Sequence, residues 1–268
     1  MIHLKSMTVR GWEKSQAQGF PFTLGIVQAL KEIEFSSPVT LFVGENGSGK
    51  STIMEALACA IGCVTVGSES VKTDRSLASV RKLSQYFRLA WTKRTHKGFF
   101  LRAEDFFGYA KNMRQSREQM ETEMNTLENE ARGRSELAAS QTRMAYAGQL
   151  SAIQNRYGDG IDNRSHGESF MTLFMARFVP GGLYLLDEPE AALSPSRQLS
   201  FITALKQMVE KDSQFIIATH SPIILAFPEA TILSFDGGAV HQVRYDELEH
   251  VNLTRDFLQN PQAFLKHL

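Results

Sequence analysis

One stretch limits the possible folds of this chain more than any other. Val39-Thr40-Leu41-Phe42-Val43 is an unbroken apolar and β-branched run that leads straight into Gly44-Glu45-Asn46-Gly47-Ser48-Gly49-Lys50-Ser51-Thr52. Such a run suits a strand covered on both faces. Gly44-x4-Gly49-Lys50-Ser51 is the pattern of a phosphate-binding loop, which needs a strand before it and a helix after it. The helix is expected from about Ser51 to Cys63. Glycines let successive backbone N–H groups turn inward toward phosphate oxygens, and the helix start adds the positive end of its dipole. Lys50 is placed to reach the β- and γ-phosphates, and the Ser51 hydroxyl to ligate Mg²⁺.

Leu183-Tyr184-Leu185-Leu186-Asp187-Glu188-Pro189 offers a second half: an apolar strand ending in two carboxylates. Open α/β sheets bind ligands at that edge. Asp187 is a candidate Mg²⁺ ligand, and Glu188, one residue on, faces differently and can polarise an attacking water. Taken alone, such a pair also reads as helix N-terminal charge. Thr219-His220-Ser221 follows the apolar run Phe215-Ile216-Ile217-Ala218, which puts His220 at a strand end where it can meet a γ-phosphate or the attacking water. Ser165-His166-Gly167-Glu168-Ser169 opens a helix expected from Ser165 to Phe178. Ser165-x-x-Glu168 fits a capping box, and the same helix start can bind a phosphate.

Elsewhere, strands are expected at Ile2–Val9, Glu32–Phe35, Phe99–Arg102, Thr231–Phe235 and Val240–Val243, with Asp236-Gly237-Gly238 as a hairpin turn and a helix over Pro195–Lys211. Tyr109 to Arg156 has no proline and few aromatics. There Met113, Met120 and Leu127 recur every seven residues, and Leu137 and Met144 resume that step after the Ala131–Ser135 interruption. Two helices folded back as a hairpin, each about 30 Å long, are one reading; an amphipathic lid is the other.

Lys plus Arg and Asp plus Glu each total 29, yet Lys72 to Arg102 holds nine basic residues against one acid, Asp74. That segment reads as a phosphate-binding face or as a solvated surface paired with acids elsewhere. At 43% hydrophobic and 22% charged the chain falls outside the disordered classes. No apolar run approaches the roughly 20 residues that span a bilayer, and Met1 to Lys5 lacks the stretch of a signal peptide, so membrane insertion is not expected. Cys59 and Cys63, four apart in a helix, suit neither a disulfide nor a zinc site, and a cytoplasmic location follows.

The order of phosphate loop, long insertion, Ser-x-Gly-Glu helix, Asp-Glu strand and histidine resembles the ABC-type ATPases over essentially the whole chain. Gly44 to Thr52 is similar to their Walker A, Asp187-Glu188-Pro189 to Walker B with its catalytic glutamate, Ala191-Ala192-Leu193-Ser194 to the D-loop and His220 to the switch histidine. Ser165-His166-Gly167-Glu168 resembles a variant of the signature segment. Within that superfamily the chain is similar to compact bacterial ATPases of the SMC/RecF-like branch, through Ser-His-Gly-Glu-Ser-Phe, Leu-Leu-Asp-Glu-Pro-Glu-Ala-Ala-Leu-Ser and Ala-Thr-His-Ser-Pro.

The resemblance implies an α/β P-loop fold with a mostly parallel core sheet and N-terminal antiparallel strands. It implies one ATPase domain over 1–268 with a helical insertion at 109–156. It further implies ATP hydrolysis with Mg²⁺ and a homodimer formed on ATP binding, in which Ser165 to Glu168 of one copy meets the γ-phosphate held by Glu45 to Thr52 of the other. DNA or a protein effector is the implied partner. A transporter's nucleotide-binding subunit and a P-loop phosphotransferase are the rival readings. Three departures stand out. No Gln follows Phe99–Arg102 where the Q-loop begins, leaving Glu104 as the nearest polar residue. The insertion carries no Cys pair at its tip, so no zinc hook is expected. No Tyr precedes Walker A at the spacing that transporter ATPases use to stack adenine.

Overall fold

The computed structural model describes residues 1–12, 18–66, 71–102, 122, 171 and 174–266. The chain divides into two compact units, Met1–Ala103 with Phe178–Leu268, and Glu104–Arg177. The expected insertion at 109–156, the Ser165–Glu168 segment and Glu104 lie outside the described residues, apart from residue 122.

The first unit holds two sheets. β1 (Leu4–Val9) pairs antiparallel with β2 (Glu32–Glu34) and with β4 (Phe87–Trp91) in a three-stranded sheet of order β2-β1-β4. The larger sheet runs β5-β6-β7-β3-β8-β9, from β5 (Phe100–Arg102) through β6 (Leu183–Asp187), β7 (Gln214–Ala218), β3 (Val39–Val43) and β8 (Thr231–Ser234) to β9 (His241–Val243). All its pairings are parallel except β8 with β9. Every residue of β3, β6 and β7 is buried. That explains why these strands read as continuous apolar runs rather than as alternating ones.

Helix α1 (Gly25–Ala29) precedes β2, and α2 (Lys50–Ile61) follows β3 and packs on β4, β6 and β7 and on α3 (Ala78–Ser84), so it lies against strands of both sheets. Its buried face is Ile53, Met54, Ala56, Leu57 and Ala58. Gly62, left-handed at φ 76°, ends it by donating to the carbonyls of Ala58 and Cys59. Helix α4 (Pro195–Glu210) links β6 to β7, and α5 (Pro222–Leu225) follows β7. Two helices, α6 (Glu249–Gln259) and α7 (Pro261–Leu265), close the described chain.

Gln214, at the start of β7, ties the sheets together. Its Oε1 accepts the N–H groups of His3 and Leu4, both at 2.8 Å, and its Nε2 donates to Leu4 O at 3.0 Å. Gly98 sits at φ +115°, where an added Cβ would fall 1.8 Å from Leu183 O. Only glycine lets this segment come so close to the first residue of β6. Cys59 and Cys63 are free thiols, pushed up to about 11 and about 12 by burial.

The basic segment is not one solvated face. Arg102 is buried and pairs with Asp74 at 2.8 Å and Glu55 at 3.2 Å, and Arg81 donates to the carbonyls of Val71 and Asp74. Asp74, the segment's one acid, meets Arg102 with its carboxylate and Arg81 with its backbone carbonyl. Burial raises its carboxyl, and bonds from Ser76 and Arg102 outweigh that, holding it below the usual range.

Candidate nucleotide site at the carboxyl edge of the sheet

Parallel strands deliver their C-terminal ends to one edge. β3 ends there in Gly44–Gly49, β6 in Asp187 and Glu188, β7 in Thr219 and His220, and β8 in Phe235 and Asp236. The ladder runs one residue past the strands, with Glu188 N–H to Ala218 O (2.9 Å), Thr219 N–H to Phe42 O (3.1 Å) and Phe235 N–H to Val43 O (2.8 Å). These bonds set four loop starts side by side.

Three glycines of the loop have positive φ, and Gly49, at +96°, is the most constrained. A Cβ there would lie 2.6 Å from Cγ2 of Ile26 on α1. Lys50 is 4% exposed and folds back over the loop, donating to Gly44 O at 2.6 Å, Glu45 O at 2.8 Å and Ser48 Oγ at 3.4 Å. Burial lowers the pKa of its ammonium, and the carboxylates of Asp236, Glu188, Asp187 and Glu190 oppose that shift. Thr52 continues α2, while Glu45, Asn46 and Gly47 are exposed.

Ser51, on the first turn of α2, donates to the Asp187 carboxylate. Burial pushes the Asp187 carboxyl up to about 7 against that bond, and its Oδ1 is buried with no hydrogen-bond partner. A buried carboxylate oxygen without a partner, beside a serine hydroxyl, is the donor set a hard divalent cation takes. Ser51 and Asp187 thus fit Mg²⁺.

Glu188 adopts a left-handed conformation, φ 50° and ψ 52°. That is an uncommon backbone for a residue with a Cβ and costs about 1–2 kcal/mol. The side chain is 44% exposed, with Oε1 3.8 Å from Nε2 of His220. Burial, then Lys50, lowers the His220 pKa, so the neutral imidazole is favoured; its Nε2 is buried and unpartnered.

Two further residues at this edge had no site role expected of them. Glu190 Oε1 accepts the backbone N–H of His220 at 2.6 Å, and the carboxylate also accepts the Thr219 hydroxyl. Burial raises its pKa, and Oε2 has no partner. Asp236 Oδ1 accepts the N–H of Glu45 at 2.8 Å, so the residue expected only to turn a hairpin also pins the loop. Asp-Gly-Gly between two strands signals the turn; nothing in that pattern signals the loop contact.

A family model described as an AAA domain matches residues 24–173, more than half of the chain. A second AAA-domain model, whose description extends to type IV toxin–antitoxin systems, matches residues 170–226. The macrolide export ATP-binding/permease protein MacB 1 of Yersinia pestis bv. Antiqua is 25% identical over 221 residues, which are 79% of this chain and 31% of that protein. The chain therefore spans about a third of the curated relatives it matches. Among solved structures, an Smc head domain from Pyrococcus furiosus, bound to the C-terminal domain of ScpA, aligns with a TM-score of 0.49 and 14% identity over 96% of this chain and 100% of that one. An ATP-binding cassette of an ABC transporter in its ADP conformation aligns with a TM-score of 0.43 and 15% identity over 98% and 96%. Since the AAA-domain model covers more than half of the chain and the chain carries the phosphate loop that such a domain needs, the chain belongs to the AAA-domain family.

Proposed function

We propose that this protein binds and hydrolyses ATP as an ABC-type ATPase of the SMC/RecF-like branch, a single ATPase domain over 1–268 with a helical insertion at 109–156. One observation carries the reading. Lys50, Ser51, Asp187, Glu188 and His220 meet at the ends of three adjacent parallel strands, β6, β7 and β3. Lys50 neutralises β- and γ-phosphate oxygens, and the N–H groups from Glu45 to Thr52 hold the phosphate chain. Ser51 and Asp187 would hold Mg²⁺, which when bound would supply positive charge against the phosphates. Glu188, half-exposed, takes the proton of the attacking water, and the imidazole of His220 holds that water or the γ-phosphate.

ATP then joins two copies head-to-tail, with Ser165 to Glu168 of a second copy closing on the γ-phosphate. Closure and release make the protein a clamp or switch on DNA or a protein effector, in repair or phage defence. Glu188→Gln is expected to keep ATP binding and to lower turnover by about 100-fold or more, the size of a lost general base. Turnover at the wild-type rate would overturn the assignment.

The similarity to MacB favours a second reading, the nucleotide-binding part of an exporter. ATPase assays with and without DNA separate the two. The clamp reading expects several-fold stimulation and salt-sensitive binding, reduced by Lys93→Glu with Arg94→Glu. Absence of any DNA effect favours the exporter.

A further inference from the structure

Glu188 and His220 stand on two loops that the sheet sets side by side, and their side chains come within 3.8 Å of each other. Strand pairing fixes only the near end of that arrangement. Its last bonds are Glu188 N–H to Ala218 O at 2.9 Å and Thr219 N–H to Phe42 O at 3.1 Å. Past them, the backbone of the second loop bonds to side chains instead. His220 N–H donates to Glu190 Oε1 at 2.6 Å, and Ser221 N–H donates to Thr219 Oγ1 at 3.0 Å. The Thr219 hydroxyl in turn donates to the Glu190 carboxylate. One carboxylate from the loop after β6 thus holds the backbone after β7.

Glu190 is itself held in place. It lies in the short turn Pro189–Ala192, where Ala191 N–H donates to Glu188 O at 3.1 Å and Leu193 N–H to Glu190 O at 2.9 Å. The same two loops are tied a second time through α4. Ser221 Oγ donates to Gln198 Oε1, and Gln198 Nε2 donates to Leu193 O at 3.1 Å. Two bonds therefore bracket the Glu188–His220 pair: Glu188 N–H to Ala218 O, and His220 N–H to Glu190. Without the carboxylate, His220 N–H loses its acceptor and its backbone is free to turn. A shift of about 1 Å in a positioned group can cost about 100-fold in rate.

We propose that Glu190 is a positioning residue for hydrolysis: it holds the backbone of His220, and through it the imidazole, against Glu188, without touching the nucleotide. The inference rests on the ATPase reading and on the roles given there to Glu188 and His220. Losing the carboxylate acts on the chemical step and spares nucleotide binding, which belongs to Glu45–Thr52.

The test measures steady-state ATPase rates and titrates a non-hydrolysable ATP analogue, both with Mg²⁺. It compares the full-length wild type, Glu190→Ala, Glu190→Gln, His220→Ala and the Glu190→Ala/His220→Ala double variant. Glu190→Ala is expected to lower kcat about 10- to 100-fold, with KM and analogue affinity within about 2-fold of wild type. Glu190→Gln keeps an acceptor at the same reach and should recover most of the rate. Because the carboxylate acts through His220, removing it from a chain that already lacks the imidazole should cost less than about 2-fold more. The inference is overturned by a wild-type kcat in Glu190→Ala or in His220→Ala, or by losses that multiply in the double variant. Equal loss of kcat and analogue affinity in Glu190→Ala, with no rescue by Gln, overturns it too. A wild-type chain without ATP turnover overturns the ATPase reading itself, and this inference with it.

Discussion

Asp187 and Glu188 are neighbours in the chain with opposite surroundings. Asp187 is 7% exposed at a strand end, and burial pushes its carboxyl up to about 7 from an ordinary 3.8. Glu188, in the left-handed conformation, reaches toward solvent. The difference has a pH signature in the nucleotide-free protein. Between about pH 4 and 7 the folded chain keeps the Asp187 proton while the unfolded chain has released it. The resulting stabilisation is full below pH 3.8 and is lost as pH rises through about 7. Asp187→Asn should therefore flatten the fall of Tm between pH 5 and 8 in metal-free buffer. An unchanged slope in thermal unfolding would show that this carboxyl does not carry the effect.

Strands β3, β6 and β7 were legible because burial on both faces leaves a continuous apolar signature, and the observed bounds of the expected strands differ from expectation by a residue or two. The first strand begins at Leu4 rather than Ile2, and the loop helix at Lys50 rather than Ser51. Helices α1 and α3 and strand β4 were not expected. Each is short, and β4 lies inside the basic segment, where exposed charges hide its alternation. Contacts between elements set the cost of change here. Arg102→Met removes the guanidinium that pairs with both Glu55 and Asp74 and should cost about 3 kcal/mol or more in denaturant unfolding. Gly98→Ala drives a methyl into Leu183 O and should cost about 3 kcal/mol or more, read in the same assay.

For the molecule as a whole, the expectation concerns assembly. If ATP is shared between two copies, the Glu188→Gln protein with saturating Mg-ATP should run as a dimer in light scattering and return to monomer with ADP, since a ligand held only by the pair stabilises the pair. A monomer under those conditions would contradict the proposed clamp. Lys93 and Arg94 are the residues through which a DNA partner would be sought, since Arg81 and Arg102 of the same segment are committed to internal bonds.

Local pattern carried the phosphate loop, the acidic strand end and the histidine after β7, because a tight turn, a buried parallel strand and a strand-end side chain each demand particular residues at fixed spacing. Asp236 on Glu45 and Glu190 under His220 left no such trace. Their contacts join positions 191 and 30 residues apart and depend on which strands become neighbours. Neighbourhood in a sheet is settled by packing across the core, and no short run of residues encodes it.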